Sequence, residues 1–428
     1  MVATNSAGVA LAFVCQMVLA RILGADAFGA YTWILSFLSL LALPAVQGLD
    51  SATLRFVAIY QGRGESDRVV KFFLFAWRRV VVTSAVIALA LMASGSAAWQ
   101  MRSAPDRISI ALAALLLVAN ALGGLTTATL QAVGRAAAAQ AAQVLVRPAL
   151  CAGLVAGATL LFAAPRSVSL ALGANLIASL AVLAFARFLL SGRLPPRRNR
   201  ERAAPEFRQL WGRTAFPLGL VSGLQVVITR ADIVLVGILV DATAAGFYAM
   251  ASTLASVVTL PITAVNTVLA PAIADAHAAG RRDELQRTMT WAARIVFALT
   301  APGIAILVLI GTRLLDLFGP GFAQAYPVMV VLVVGQAGVA FAGSVGFLLT
   351  MTGHQRDAAR VLGGSAVAAV ALPFLLVPHF GIVGAAIGTC LATLARTFAL
   401  ASLARRRLGI HATALGFPRS MTRVGPPG

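Results

Sequence analysis

Apolar runs of 18 to 26 residues, separated by short polar connections, fill almost the whole chain. About 20 such residues cross a hydrocarbon core, so the pattern predicts twelve transmembrane helices, at residues 3–20, 28–46, 72–95, 108–130, 141–163, 168–190, 214–239, 245–265, 290–311, 326–350, 358–378 and 381–403. The runs are continuous and rich in Ala, Leu and Val. Barrel strands would instead alternate over about ten residues. Six runs precede and six follow the polar stretch SGRLPPRRNRERAAPEFRQLWGR, which holds seven arginines, two acids and a Pro-Pro stop. The expected fold is an all-α integral membrane protein: an N-terminal six-helix bundle (1–190), a basic linker (191–213), a C-terminal six-helix bundle (214–403) and a basic tail (404–428).

A single ungapped offset of 217 residues relates the halves. It places Ala27 on Ala244, Gly29 on Gly246, Tyr31 on Tyr248, Ser39 on Ser256, Leu43 on Leu260 and Pro44 on Pro261. A proline shared inside an apolar run points to duplication, and duplicated membrane segments are a signature of transporters. The polar stretches after the second and eighth runs, ending GRGESDR and GRRDELQR, extend the repeat into the connections. The first of them, from Gly48 to Lys71, is patterned as a helix with Leu54, Val57 and Ala58 on one side.

Composition fits a bundle buried in lipid: 60% hydrophobic, 11% charged, mean hydropathy +0.89. The net charge of +20 would suggest nucleic acid in a soluble protein, but the basic residues sit in the short connections, where they report topology instead. With the amino terminus inside, the inner connections and tail hold 25 basic residues. The outer ones hold five: Arg21, Arg102, Arg107, Arg166 and Arg313. Both termini and the linker are therefore expected on the cytoplasmic side of a bacterial inner membrane. The first apolar run lacks a basic lead and a cleavage pattern and reads as the first helix. Cys15, Cys151 and Cys390 fall in apolar runs and read as packing residues; His277, His354, His379 and His411 have no second ligand at metal spacing, so neither a metal nor a cofactor is indicated.

Four stretches carry a family resemblance: LARILGADAFGAYTWILSFLSLLALPAVQGLDSATLRFVAIY, ITRADIVLVGILVDATAAGFYAMASTLASVVTLPITAVNTVLAPAIADAH, LFGPGFAQAYPVMVVLVVGQ, and TGHQRDAARVLGG followed by VPHFGIVGAAIGT and ARRRLGI. In this order the chain resembles the oligosaccharide flippases, the polysaccharide-transporter branch of the multidrug, oligosaccharidyl-lipid and polysaccharide exporter superfamily. The resemblance implies two bundles around a central cavity that opens alternately to each side. It implies a polyprenyl-pyrophosphate-linked glycan as cargo, carried to the outer leaflet for O-antigen, capsule or exopolysaccharide assembly, with a polymerase and glycosyltransferases as further partners. The chain departs from the pattern in its short lead before the first helix, as a start codon placed too late would produce, and in the tail beyond Ile410.

A charge at the bilayer centre costs at least about 2.5–3.5 kcal/mol, so each one inside a span needs a protein-facing or hydrated reason. Outside the connections the basic residues are Arg147, Arg187, Arg230 and Arg396. A guanidinium offers a pyrophosphate permanently charged, bidentate hydrogen bonds. Arg147 and Arg230, deepest from their helix ends, are the candidate cargo ligands. Snorkelling competes for Arg147 and a bridge to Asp232 for Arg230; for Arg187 and Arg396 snorkelling to the inner interface is favoured. Asp232 and Asp50 are candidates for ion coupling, Asp50 also as a helix cap. Asn5, Gln16, Asn120, Gln143, Asn175, Gln225, Asn266 and Gln336 could meet sugar hydroxyls or bridge helices. Pro44, Pro148, Pro217, Pro261, Pro302 and Pro373 interrupt spans, and the repeat-related pair Pro44 and Pro261 are candidate flex points. Two alternatives within the superfamily stay open: a drug or cation antiporter, and a peptidoglycan-precursor flippase. A glycan polymerase is disfavoured, because the outer connections are short and carry no nucleophile or acid/base pair.

Overall fold

The computed structural model describes residues 2–94, 106–162, 164–191, 204–411 and 413–414. Linker residues 192–203, Arg102, the tail from 415 onward and the side chain of Asn5 lie outside the described residues. The elements, in order, are α1 (Val2–Val46), α2 (Leu49–Gly62), α3 (Ser66–Ala93), α4 (Arg107–Leu130), α5 (Ala136–Ala141), α6 (Arg147–Leu161), α7 (Val168–Ser191), α8 (Pro205–Leu239), α9 (Ala242–Val257), α10 (Leu260–Ala278), α11 (Arg282–Asp316), α12 (Tyr326–Ala342), α13 (Val345–Met351) and α14 (Gln355–Leu408). No strand occurs among the described residues. That is the expected consequence of placing a backbone in lipid, where only helices satisfy every amide within one segment.

Eight helices among the described residues are long and apolar enough to cross a membrane, or nine if α9 and α10, which meet at a 41° bend, form one span. Of those longer than one crossing needs, three are interrupted. The runs Arg107–Leu161 and Gln355–Leu408 hold 55 and 54 residues, and Ala10–Val46 holds 37; at 1.5 Å per residue the first two would each extend ~80 Å, far beyond a ~30 Å core. Each contains a residue with non-helical backbone: Gly24 (φ 77°, ψ 171°), Gly134 (φ 85°, ψ 8°) and Gly381 (φ 58°, ψ −141°). Such angles are open to glycine because it has no Cβ. Two of these runs double back. Asp357 at the start of α14 is bound at 2.9 Å by Arg407 near its end, and also by Arg360 at 2.8 Å. Likewise a side chain at Gly123 would touch Gln143, which in a straight helix lies ~30 Å away.

By mutual contact the described chain forms two compact units, residues 1–249 with 316–322, and residues 250–315 with 323–428. In the first, α2 turns a stripe of Leu49, Ala52, Thr53, Phe56, Val57 and Tyr60 inward. This corrects the expected face, because Leu54 and Ala58 are exposed and only Val57 of that trio is buried. Spacing of three and four residues from Leu49 generates the observed stripe. It packs on Phe72, Leu125 and Trp211, whose indole donates to the Tyr60 hydroxyl at 2.9 Å.

The chain enters α2 through Gln47 (φ 53°) and Gly48 (φ 72°). A Cβ at Gly48 would strike the α8 backbone at Ala215 and Gly219. Trp33 of α1 donates to the Val234 carbonyl of α8 at 3.0 Å, with its ring against Gly237.

Another close approach joins residues 217 apart. A Cβ on Gly246 would lie 2.7 Å from the Gly29 Cα and 3.2 Å from the Ala25 carbonyl oxygen. One on Gly29 would strike the carbonyl of Ala242, the counterpart of Ala25. Beside them Thr243 Oγ1 donates to Asp26 Oδ1 at 3.2 Å, again 217 residues apart. Repeat mates touching their own counterparts is how a two-fold axis reads in contacts.

The second unit packs Ile273, Leu285, Met289, Leu348, Leu349 and Ala404 together, and its chain end joins them through Ile410. Gln286 binds His411 reciprocally, accepting from its amide at 2.7 Å and donating to its carbonyl at 2.8 Å. Ala414 donates to the Phe341 carbonyl at 3.0 Å, next to the break at Gly343. Arg294 donates to the Ala414 carbonyl at 3.1 Å.

Candidate functional site

The local sequence explains how Arg147 is presented. Pro148 follows it and has no N–H, so the Val144 carbonyl lacks its ordinary donor four residues on. The backbone widens over Ala142–Val146, and the Arg147 N–H reaches back five residues to the Ala142 carbonyl. Single π turns of this kind often mark functional positions. A second one, Gln131–Arg135, precedes it at the reversal through Gly134.

From there the guanidinium turns into the first unit. Arg147 Nη2 and Nε donate to Asn175 Oδ1 of α7 at 3.1 and 3.3 Å. Asn175 Nδ2 donates to the Tyr31 hydroxyl at 2.7 Å, and that hydroxyl lies 3.7 Å from Cys151 Sγ. Ser179 adds a longer contact to Asn175 Oδ1 at 3.4 Å. Tyr31, Cys151, Asn175 and Ser179 are all buried. Three spans thus orient one cation through neutral groups, and among the described residues no carboxylate pairs with it. These bonds hold the Arg147 side chain on buried partners of α1, α6 and α7.

Arg230 and Asp232 are two residues apart on α8 and do not form the bridge considered for them. Arg230 is exposed and makes no hydrogen bond or ion pair among the described residues. Asp232 is 5% exposed, accepting from Tyr248 Oη at 2.9 Å and from its neighbour's amide, Ile233 N, at 2.8 Å. A separation of two residues turns side chains toward different sides of a helix. The repeat mates Tyr31 and Tyr248 therefore both close a buried polar group, an asparagine in one case and a carboxylate in the other.

Asp50 stands in the first turn of α2, where its Oδ1 accepts from the Ser51 amide at 2.7 Å. That position suits the helix dipole, although the N-cap residue is Gly48. Pro44 precedes the break at Gln47–Gly48, whereas Pro261 follows the bend at Val258–Thr259, in the first turn of α10. Among the described residues, the hydrogen bonds of Arg147, Asp50 and Asp232 do not join them to one another or to Arg230 in one network. Sequence reasoning placed Asn175 only among many amides and gave Tyr31 no role. Its repeat position was the available signal.

A multi-pass helical membrane protein with broken spans and a half-buried cation held by neutral groups has the architecture of a membrane transporter. The model of the family described as "Polysaccharide biosynthesis protein" matches residues 1–277, and the chain belongs to that family. Among solved structures it is similar to an inward-facing multidrug-resistance MATE transporter of the MOP superfamily, with TM-score 0.79 and 14% identity over 93% of this chain and 94% of that one. It is also similar to the lipid II flippase MurJ in an inward closed conformation, with TM-score 0.75 and 11% identity over 94% and 86%. An outward-facing MATE transporter matches with TM-score 0.59 and 15% identity over 95% of each chain. A search of the curated proteins finds no match.

Proposed function

We propose that the chain is a flippase that moves a polyprenyl-pyrophosphate-linked oligosaccharide from the cytoplasmic to the outer leaflet of a bacterial inner membrane by alternating access, for surface polysaccharide assembly. The observation that carries this reading is Arg147, a guanidinium turned inward in a span and oriented by neutral partners. A pyrophosphate crossing lipid needs permanent positive charge to replace its hydration, and a cationic drug does not. Membership of the polysaccharide biosynthesis family supports the glycan. In this reading Arg230, exposed and without a partner among the described residues, is a second cargo ligand, and Pro44 and Pro261 flex beside their breaks. Asp232 carries the coupled proton in preference to Asp50, because it is buried within a span. The reversals at Gly134 and Gly381, the kink at Gly24 and the α9–α10 bend support twelve crossings in two six-helix halves, and the excess of basic residues in the inner connections supports cytoplasmic termini.

The test is restoration of surface polysaccharide in a flippase-deficient strain, with abundance checked by blot. R147A at normal abundance should restore little polymer, and R147K, which keeps charge without the fork, an intermediate amount. Full restoration by R147A would refute the reading.

A further inference from the structure

α14 carries a further cation inside the apolar part of the chain, Arg396. It lies nine residues, ~14 Å, before the Arg405–Arg407 triplet and fifteen residues, ~22 Å, after the reversal at Gly381. In a ~30 Å core that is close to mid-depth, beyond the reach of a snorkelling side chain from either end.

Its neighbours fix its face. Leu391, Ala395, Phe398 and Ser402 share one exposed side of α14. Cys390 and Leu394 lie against Gly335 and Gly338 of α12. At about 100° per residue, Arg396 stands roughly 130–140° from both directions, so it turns neither with Phe398 nor onto α12. The residue is partly buried, and it makes no hydrogen bond or ion pair among the described residues. An uncompensated guanidinium at mid-depth costs stability, and function is the ordinary reason to keep one.

We propose that Arg396 is an anion-binding residue of the second unit that takes the pyrophosphate of the lipid-linked cargo. This rests on the flippase reading. Arg147 is oriented by Asn175, whereas Arg396 has no hydrogen-bond or ion-pair partner among the described residues. The pyrophosphate supplies the partner that the protein lacks, and a guanidinium can meet it bidentately where an ammonium cannot.

The test uses the full chain in nanodiscs and three probes: geranylgeranyl diphosphate, geranylgeranyl monophosphate and geranylgeraniol. The wild type should bind the diphosphate more tightly than the alcohol. R396Q should weaken the diphosphate about ten- to hundredfold, the scale of one charge-assisted contact, and leave the alcohol unchanged. R396K should fall between them. R396Q should also melt no lower than the wild type, because an unpaired cation has been removed from lipid depth; a structural role would lower the melting temperature. A wild type that favours the diphosphate, with R396Q and R396K favouring it equally, overturns the role of Arg396 and leaves the flippase reading intact. A wild type that binds diphosphate and alcohol alike overturns both.

Discussion

Replacing Asn175 with leucine tests whether the Arg147 cluster is one coupled unit. The change keeps approximate volume but removes the oxygen that accepts from Arg147 Nη2 and Nε and the amide that donates to Tyr31. Interhelical hydrogen bonds in membrane proteins average about 0.6 kcal/mol, with the best near 1.7. Leaving a buried donor unpaired adds about 1–3 kcal/mol. Three lost bonds, two of them from a charged donor, therefore give N175L a cost of about 2–4 kcal/mol. R147M in the same background removes the stranded cation, so the double variant should cost less than N175L alone. The assay is equilibrium unfolding by sodium dodecyl sulfate in mixed micelles, followed by helical circular dichroism over the four corners of the cycle. If the two single costs add to within about 0.5 kcal/mol, the residues are energetically independent and the cluster does not act as a unit.

G246V should abolish monodisperse folded protein in size-exclusion chromatography, since its Cβ meets the Gly29 backbone, while G157A, at an open helical position, should be tolerated or stabilising; a well-folded G246V refutes that approach. D232N keeps an acceptor for the Tyr248 hydroxyl but cannot carry a proton, so abundance should hold while export loses its dependence on an imposed proton gradient, and an unchanged dependence removes Asp232 as carrier. Truncation after Leu408 removes Ile410 from its core and His411 from Gln286, and should lower the melting temperature measurably in detergent. A reporter inserted in the linker at residues 192–203 should be active only in its cytoplasmic form, and activity confined to the outer side refutes the assigned orientation.

The sequence shows helices readily because continuous apolar runs of membrane length have one solution in lipid. Their number is harder to read from backbone alone, since adjacent runs join through Gly134 and Gly381 with almost no non-helical residues between them. The stripe on α2 was misphased because Leu54 and Ala58 are as apolar as the positions that pack; the aromatic pair Phe56 and Tyr60 marks the buried side. Arg147 was legible as costly charge, but its partners were not. Nothing local distinguishes Asn175 from the other amides, and only the long-range packing of α1, α6 and α7 selects it. The burial of Asp232 beside an exposed Arg230 was equally hidden, because two adjacent opposite charges look like a pair until the helix gives them different faces.

The contact between Asp26 and Thr243 bears on how such a chain can descend from a shorter one. In a dimer of two identical half-length polypeptides, whatever occupies position 26 meets its own copy across the axis that passes by Gly29. Two carboxylates would then confront each other, and two threonines would forgo a charged acceptor. Fusion into one gene lets the positions diverge, with an acid on one side and a hydroxyl on the other, so that a self-facing clash becomes a donor–acceptor pair. The glycines beside them had no such freedom, because a side chain on either meets main chain. Drift at this seam is therefore open at the polar edge and closed at the crossing.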